Sequence, residues 1–331
     1  MSPSSAIKIA LQISPEPTEA DLNLARGLGV EYATCWAKAE LATPDFYISR
    51  QRLFADHGLT LYSLGNLGVH NQDDIVLNLP GREAKIEAYK QHLRSLGAAG
   101  IPYTTYAHMG NGIWSSARET SRGQPARAFD EAAESAQGNW DGRPYDRPLS
   151  HGRVYSQAEI WDNYTYFIRA VAHVAEEAGV RIGIHPDDPP VPMLGGIPRC
   201  IFSSFDGYVR ALEIANSPNV GMCLCVGCWL EGGPLMGKGV LETIEYFGRR
   251  GKIFKVHLRN VDAPLPHFVE TFLNNGYMDM RLVMQALHRV GFDGVMIPDH
   301  VPHINGDNTV GTAYALGYMQ ALLAGVVAAQ P

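Results

Sequence analysis

Residues 180–188 read VRIGIHPDD. A short β-branched run stops abruptly at a histidine and a Pro/Asp turn, the pattern of a buried strand that empties into a loop. Directly before it, SQAEIWDNYTYFIRAVAHVAEEAG (156–179) repeats apolar residues at three- and four-residue spacing and closes on glycine, the pattern of an amphipathic helix with its C-cap. Working outward, the same alternation recurs in both directions. Strands are expected near 7–12, 31–36, 59–65, 103–109, 180–185, 220–225, 252–258 and 294–298, with helical stretches such as EAKIEAYKQHLRSLGAAG (83–100) between them. Repeated strand-then-helix units imply a parallel sheet, and eight of them imply closure. The expected fold is α/β, a single (β/α)8 TIM barrel over residues 1–331. Length alone would suggest two domains, but no linker divides the chain. The interval 110–155 is polar and rich in glycine and turn formers, and its length predicts a lid over the site or an oligomer arm.

The composition is that of a globular enzyme, 46% hydrophobic and 18% charged over 331 residues. A formal net charge of −7 argues against a nucleic-acid partner, which needs a basic face. The amino terminus has no charged flank leading into a long apolar run, and no other run of about eighteen apolar residues stands out. A cytoplasmic protein without a membrane partner is expected. Five cysteines without secretory context make disulfides improbable. The CLCVGC run (223–228) lacks the second ligand pair that a structural zinc site needs.

The strand ends carry the chemistry. His185 follows VRIGI, Cys225 follows GMCL, His257 follows KIFKV and Asp299 follows GVMIP. Side chains at the carboxyl ends of barrel strands gather at the mouth, where catalytic groups sit in this architecture. Each residue alone has a plain explanation: a hydrogen-bonded histidine, a small buried thiol, a turn-capping aspartate. Four at equivalent positions of successive units are better explained by one shared metal site. Two imidazoles, a thiolate and a carboxylate suit Mn, Fe, Co or Zn better than Mg or Ca. A cation beside a carboxylate favours chemistry at the adjacent carbon, because it offsets the charge of a developing enolate.

The stretches IWDNYTYFIRAVAHVAEEAGVRIGIHPDDPP, LCVGC, HLRNV with HFVETFLNNGYMDM, PDHVP and GTAYALGYMQALL resemble the carboxyl-terminal half of the mannonate dehydratase family, from about residue 155 onward. That resemblance implies a xylose-isomerase-like barrel that dehydrates D-mannonate to 2-keto-3-deoxy-D-gluconate with a divalent metal, typically Mn2+. It carries the metal ligands onto His185, Cys225, His257 and Asp299, the four already chosen. It also carries acid and base groups onto His300 and Tyr314, without deciding which is which. Histidine titrates near neutral pH and is the easier base; tyrosine suits an acid or donor.

A sugar acid needs partners for its carboxylate and hydroxyls. Arg259, two residues beyond a ligand on the same strand face, and Arg199 of GIPRC are candidates for the carboxylate; an intraprotein ion pair is the alternative for each. Asp187 and Asp188 would steady the metal-bound histidines or bind hydroxyls, with turn capping as the alternative. Glu270 is a candidate for hydroxyl binding or proton transfer, or else a solvated carboxylate. The amino-terminal half departs from the family. An Arg-rich, Trp-containing segment expected after the first strand is replaced by ALQISPEPTEAD, and an Asn-Pro-Asp-Trp-Thr-Arg-like segment after the fourth by YTTYAHMGNGIWSS. His108 and His70 could supply replacement contacts. The closest alternative function is a metal-dependent isomerase, epimerase or lyase of another sugar on the same barrel, since enolisation begins all of these; a noncatalytic sugar-binding protein is a third. Apolar helix faces on such barrels suggest a dimer or tetramer.

Overall fold

The computed structural model describes residues 6–328. Eight parallel strands close into a barrel: β1 (Lys8–Gln12), β2 (Tyr32–Ala37), β3 (Thr60–Asn66), β4 (Tyr103–Tyr106), β5 (Arg181–Ile184), β6 (Val220–Cys225), β7 (Ile253–Leu258) and β8 (Val295–Pro298). They run in sequential order around the ring, with β8 returning to β1. All eight expected strands are present, and their starts differ from expectation by at most one residue. The exception in length is β4, which ends at Tyr106 rather than near 109.

Register sets the height of each functional side chain. Cys225 pairs with His257, His257 pairs with Ile297, and the Asp299 amide donates to the Leu258 carbonyl at 3.2 Å. On the other side the His185 amide donates to the Tyr106 carbonyl at 2.8 Å. The four strand-end residues therefore share one rim.

The outer layer follows from amphipathic helices. In Gln157–Ala178, Ile160, Phe167, Ile168, Val171 and Val174 are buried along one face, while Ser156 and Glu159 form a reciprocal capping box. Gly179 ends the helix in the left-handed conformation at φ 67°. Burying each large apolar side chain contributes about 1.5–3 kcal/mol, against about 1 kcal/mol for a cap, so packing holds this helix and the caps set its ends.

The segment after β4, expected to be a lid over the site or an oligomer arm, is not irregular loop throughout. It folds into short strands, with Ile113–Ser115, Gln137–Trp140 and Arg143–Tyr145 in one sheet. Ala128–Asp130 pairs with His267–Thr271 from the loop after β7. Trp114 and Phe129 are fully buried and join the main hydrophobic core, so this segment packs onto the barrel.

The final helix, Asn308–Ala328, has no continuous run of about eighteen apolar residues. By length and composition alone it could cross a membrane, with mean hydropathy 1.4 over a window that is 28% buried. Glycine, threonine and tyrosine break its apolar runs in sequence, which hid it from a search for continuous apolar residues. It is also the outer helix of the eighth unit, buried through Ala315, Leu316 and Met319 and in contact with β8 and β1.

Gly65 in β3 has no room for a side chain: an added Cβ would lie 2.2 Å from the Trp36 ring. Gly65→Ala is expected to destabilise the fold by about 1–3 kcal/mol, the scale of overpacking, and to displace Trp36. Urea denaturation and tryptophan fluorescence measure both.

Candidate metal centre and active-site cavity

A cavity of about 560 Å³ opens at the carboxyl end of the barrel and is lined by His185, His257, Asp299 and His300 among others. Ligand atoms of Cys225, His257 and Asp299 lie within 4.8 Å of one another, and those of His185 and Cys225 do so together with Cys228. That span matches donors around one ion, since bonds of roughly 2.0–2.3 Å put opposite donors about 4–4.6 Å apart.

The donor chemistry also fits a cation. His185 Nδ1 lies 2.7 Å from the Pro186 carbonyl, which can only accept, so Nδ1 carries the proton and Nε2 presents a lone pair. His257 Nδ1 lies 3.6 Å from Asp299 Oδ1, and its Nε2 is buried with no hydrogen-bond partner among the described residues. Burial works to raise the Cys225 thiol, but a hydrogen bond from Cys228 and the charge of Arg259 hold it well below the usual thiol range. Burial likewise opposes ionisation of Asp299, yet His300 and His257 keep its pKa low. Burial disfavours protonation of His257, but Cys223 and Asp299 push it up to about 10.

A second cluster, Asp188, Cys228 and Glu231, has similar spacing. Its centre is already filled. Arg259 Nη2 lies 3.1 Å from Asp188 Oδ2, 3.1 Å from Cys228 Sγ and 2.7 Å from Glu231 Oε1. The other guanidinium nitrogen, Nη1, lies 3.0 Å from Glu270 Oε1 and 3.2 Å from Asp299 Oδ2. Arg127, from the segment after β4, bonds Asp188 Oδ1 and Glu270 Oε1, each at 2.6 Å. Two guanidinium groups therefore neutralise most of a buried set of carboxylates.

His300 sits at the edge of this cluster. Its Nδ1 is 2.9 Å from Glu270 Oε1 and 2.7 Å from Arg259 Nη1. One nitrogen cannot both donate to the carboxylate and accept from the guanidinium. Arg259 Nη1 has two carboxylates to serve, so Nδ1–H donates to Glu270 and Nε2 is left free. Burial lowers the basicity of this imidazole, but Glu270 and Asp299 outweigh it and raise the pKa. His300 also adopts φ 46°, a left-handed conformation rare outside glycine and costing on the order of 1 kcal/mol.

Several expected substrate contacts are placed elsewhere. Arg259 does not line the cavity; it is a buried ion-pair hub. Arg199 is buried and bonded to Asn111 Oδ1 at 2.8 Å and the Gly112 carbonyl at 2.7 Å, anchoring the segment after β4. Asp187 faces Arg199 at 3.6 Å, and burial raises its carboxyl to about 6. Glu270 is not a solvated carboxylate: it lies in a strand and is fully buried. Of this group Asp188 alone lines the cavity. His108 bonds the Tyr106 hydroxyl at 2.8 Å within an aromatic cluster, away from the cavity. Tyr314 is 41% exposed, and its hydroxyl accepts from Asn274 at 2.8 Å. Asn308 and Thr312 of the same helix line the cavity. Tyr314, two residues past Thr312 and about 200° around the helix, faces away.

Residues the sequence reading missed include Arg127, Glu231, Trp36 and Trp140. Glu231 had a signal, a single carboxylate ending the apolar run CLCVGCWL. Arg127 had none, because its partners lie 61 and 143 positions away.

The closed barrel has the fold of a xylose isomerase domain protein from Planctomyces limnophilus, at TM-score 0.64 and 12% identity, over 98% of this chain and 100% of that one. A family model described as D-mannonate dehydratase (UxuA) matches residues 146–329. Mannonate dehydratase 2 of Halalkalibacterium halodurans is 31% identical over 296 residues, 80% of this chain and 84% of that protein. The crystal structure of mannonate dehydratase from Streptococcus suis serotype2 superposes at TM-score 0.85 with 27% identity, over 98% of this chain and 95% of that one. The chain belongs to the mannonate dehydratase family.

Removing the Arg259 charge leaves buried carboxylates uncompensated. Arg259→Met is expected to lower unfolding free energy by about 3–5 kcal/mol, the scale of a broken buried ion pair. The Asp188 carboxyl is opposed by burial but depressed overall by Arg127 and Arg259. Its stabilisation is full above the ordinary carboxylate range and is lost as pH falls through the lower folded value. Acid unfolding of Arg259→Met, followed by circular dichroism, is therefore expected at higher pH than in the parent.

Proposed function

We propose that this protein is a metal-dependent dehydratase that converts D-mannonate to 2-keto-3-deoxy-D-gluconate and water. Membership of the mannonate dehydratase family supports the reaction. The observation that carries the metal is the convergence of ligand atoms of Cys225, His257 and Asp299 within 4.8 Å of one another, with His185 close to Cys225. The ligand set of this reading is His185, Cys225, His257 and Asp299. Mn2+ is the expected ion, with Fe2+, Co2+ and Zn2+ as alternatives that suit the same donors. Such an ion supplies positive charge that lowers the cost of negative charge developing next to the substrate carboxylate.

His300 is the base in this reading. With Nδ1–H held by Glu270, its Nε2 takes the proton from the carbon alpha to the carboxylate. The hydroxyl on the next carbon leaves with a proton as water, and the enol product tautomerises to the 2-keto acid. Glu270, pinned by two arginines, fixes the imidazole tautomer and stabilises its protonated form, the role a buried carboxylate plays behind a general base. Proton delivery to the leaving hydroxyl by Tyr314 would require the final helix to turn its far face toward the cavity. A cytoplasmic homo-oligomer completes the reading. The largely exposed, uncharged helix Asn308–Ala328 supports the oligomer.

Metal-stripped protein resupplied with Mn2+ and incubated with D-mannonate is expected to form the 2-keto-3-deoxy acid. Turnover that conserves the mass of a different sugar, with no product from any aldonate, would favour an isomerase or epimerase instead. His257→Ala and Cys225→Ala are expected to lose bound metal and activity together by elemental analysis and assay. His300→Asn is expected to keep its metal while kcat falls by about 10²-fold or more, the usual weight of a general base.

A further inference from the structure

Across the barrel from β6 and β7, the cavity wall is built from β2, β3 and the folded segment after β4. Trp36, His70 and Trp140 come together there. The His70 ring lies 4.6 Å from Trp36 and 4.8 Å from Trp140, centroid to centroid. Its backbone amide is tied to the Asn66 carbonyl at the end of β3 at 3.0 Å, so ring and main chain are both fixed.

The protonation of this ring follows from its partners. His70 Nδ1 lies 3.0 Å from the Thr105 carbonyl, which can only accept, so Nδ1 is the donor. Burial, with the nearby imidazoles of His185 and His257, brings its pKa down to about 3 despite that bond. His70 is therefore neutral at physiological pH, with a bare lone pair on Nε2. That atom has no hydrogen-bond partner among the described residues, and the ring lines the cavity. The comparison with other histidines is instructive. His92 uses both nitrogens, on the Tyr47 hydroxyl at 2.7 Å and Thr104 Oγ1 at 3.0 Å, and is structural. His108 has an unpartnered Nε2 too, but lies outside the cavity where no ligand reaches it.

A fixed neutral acceptor selects its partner. It repels a carboxylate and cannot bind a carbonyl, but it accepts from a hydroxyl. Flanking indole rings suit the C–H faces of a carbohydrate chain. We propose that His70 is a specificity-determining residue whose Nε2 accepts a hydrogen bond from a hydroxyl on the sugar-acid chain, between Trp36 and Trp140. This inference rests on the sugar-acid reading above. It orients the substrate, with its carboxylate toward the metal ligands and its polyhydroxyl tail toward β2 and β3. It also gives the segment after β4 a part in recognition, through Trp140.

The test is calorimetric titration of D-mannonate and a panel of aldonates into Mn2+-loaded His300→Asn protein, which removes turnover, with and without substitutions at His70. Loss of one hydrogen bond to substrate corresponds to roughly tenfold in affinity. His70→Phe is expected to weaken binding about tenfold, and His70→Gln, whose amide oxygen restores an acceptor, is expected to recover most of it. Metal content should be equal in all three proteins. Unchanged affinity in His70→Phe, or equal losses in both variants, would overturn the proposal while leaving the sugar-acid reading intact. If another aldonate binds in place of mannonate, the same comparison is read on that acid and only the choice of substrate fails. Absence of binding by every aldonate to the loaded parent would overturn both.

Discussion

The buried guanidinium of Arg259 is the constraint around which the site is arranged. It reaches from just beyond β7 to carboxylates on the β5 loop, the short helix after β6, the loop after β7 and the end of β8. Its approach leaves no room at Gly227, where an added Cβ would lie 2.0 Å from Arg259 Nε. Together with Arg127 it holds Asp188, Glu231 and Glu270 in ion pairs, so those groups are already engaged. It also lies 3.2 Å from Asp299 Oδ2 and, after the Cys228 hydrogen bond, helps to lower the Cys225 pKa. The buried acidic cluster and the proposed metal ligands thus share one arginine.

Arg127 extends the same network to the segment after β4. Its bonds to Asp188 and Glu270 make closure of the cavity roof and orientation of His300 parts of one buried ion cluster. The β-structure of that segment then brings Trp140 and Ile113 into the cavity wall. What the sequence presents as a polar interruption of the barrel is, in the folded chain, a wall of the site.

The barrel and its rim were legible because the signals are local. Eight β-branched runs alternate with helical periodicity, and a residue at a strand's carboxyl end has only one place to go. Whether the arginines meet substrate or an ion pair within the chain was not legible, for the opposite reason. Strand alternation correctly puts Arg259 on the face of His257, but its partners Asp188, Glu231 and Glu270 come from loops remote in sequence. Nothing local distinguishes an arginine awaiting a substrate from one already surrounded. Tyr314 failed on helix phase, since motif resemblance locates a residue in the chain but not its direction once the helix is packed. His108 failed because β4 ends at Tyr106, and the chain leaves the rim before reaching it. The strands of the segment after β4 are three or four residues long, too short to carry periodicity, and are defined by pairing with each other and with His267–Thr271.

The central claim is that four strand-end side chains hold one divalent ion. X-ray absorption at the cobalt edge of Co2+-loaded protein tests it most directly. The account predicts a shell with a single sulfur at about 2.3 Å, from Cys225, together with imidazole nitrogen and carboxylate oxygen at about 2.0–2.2 Å. A shell of oxygen and nitrogen alone, unchanged by Cys225→Ala, would contradict it.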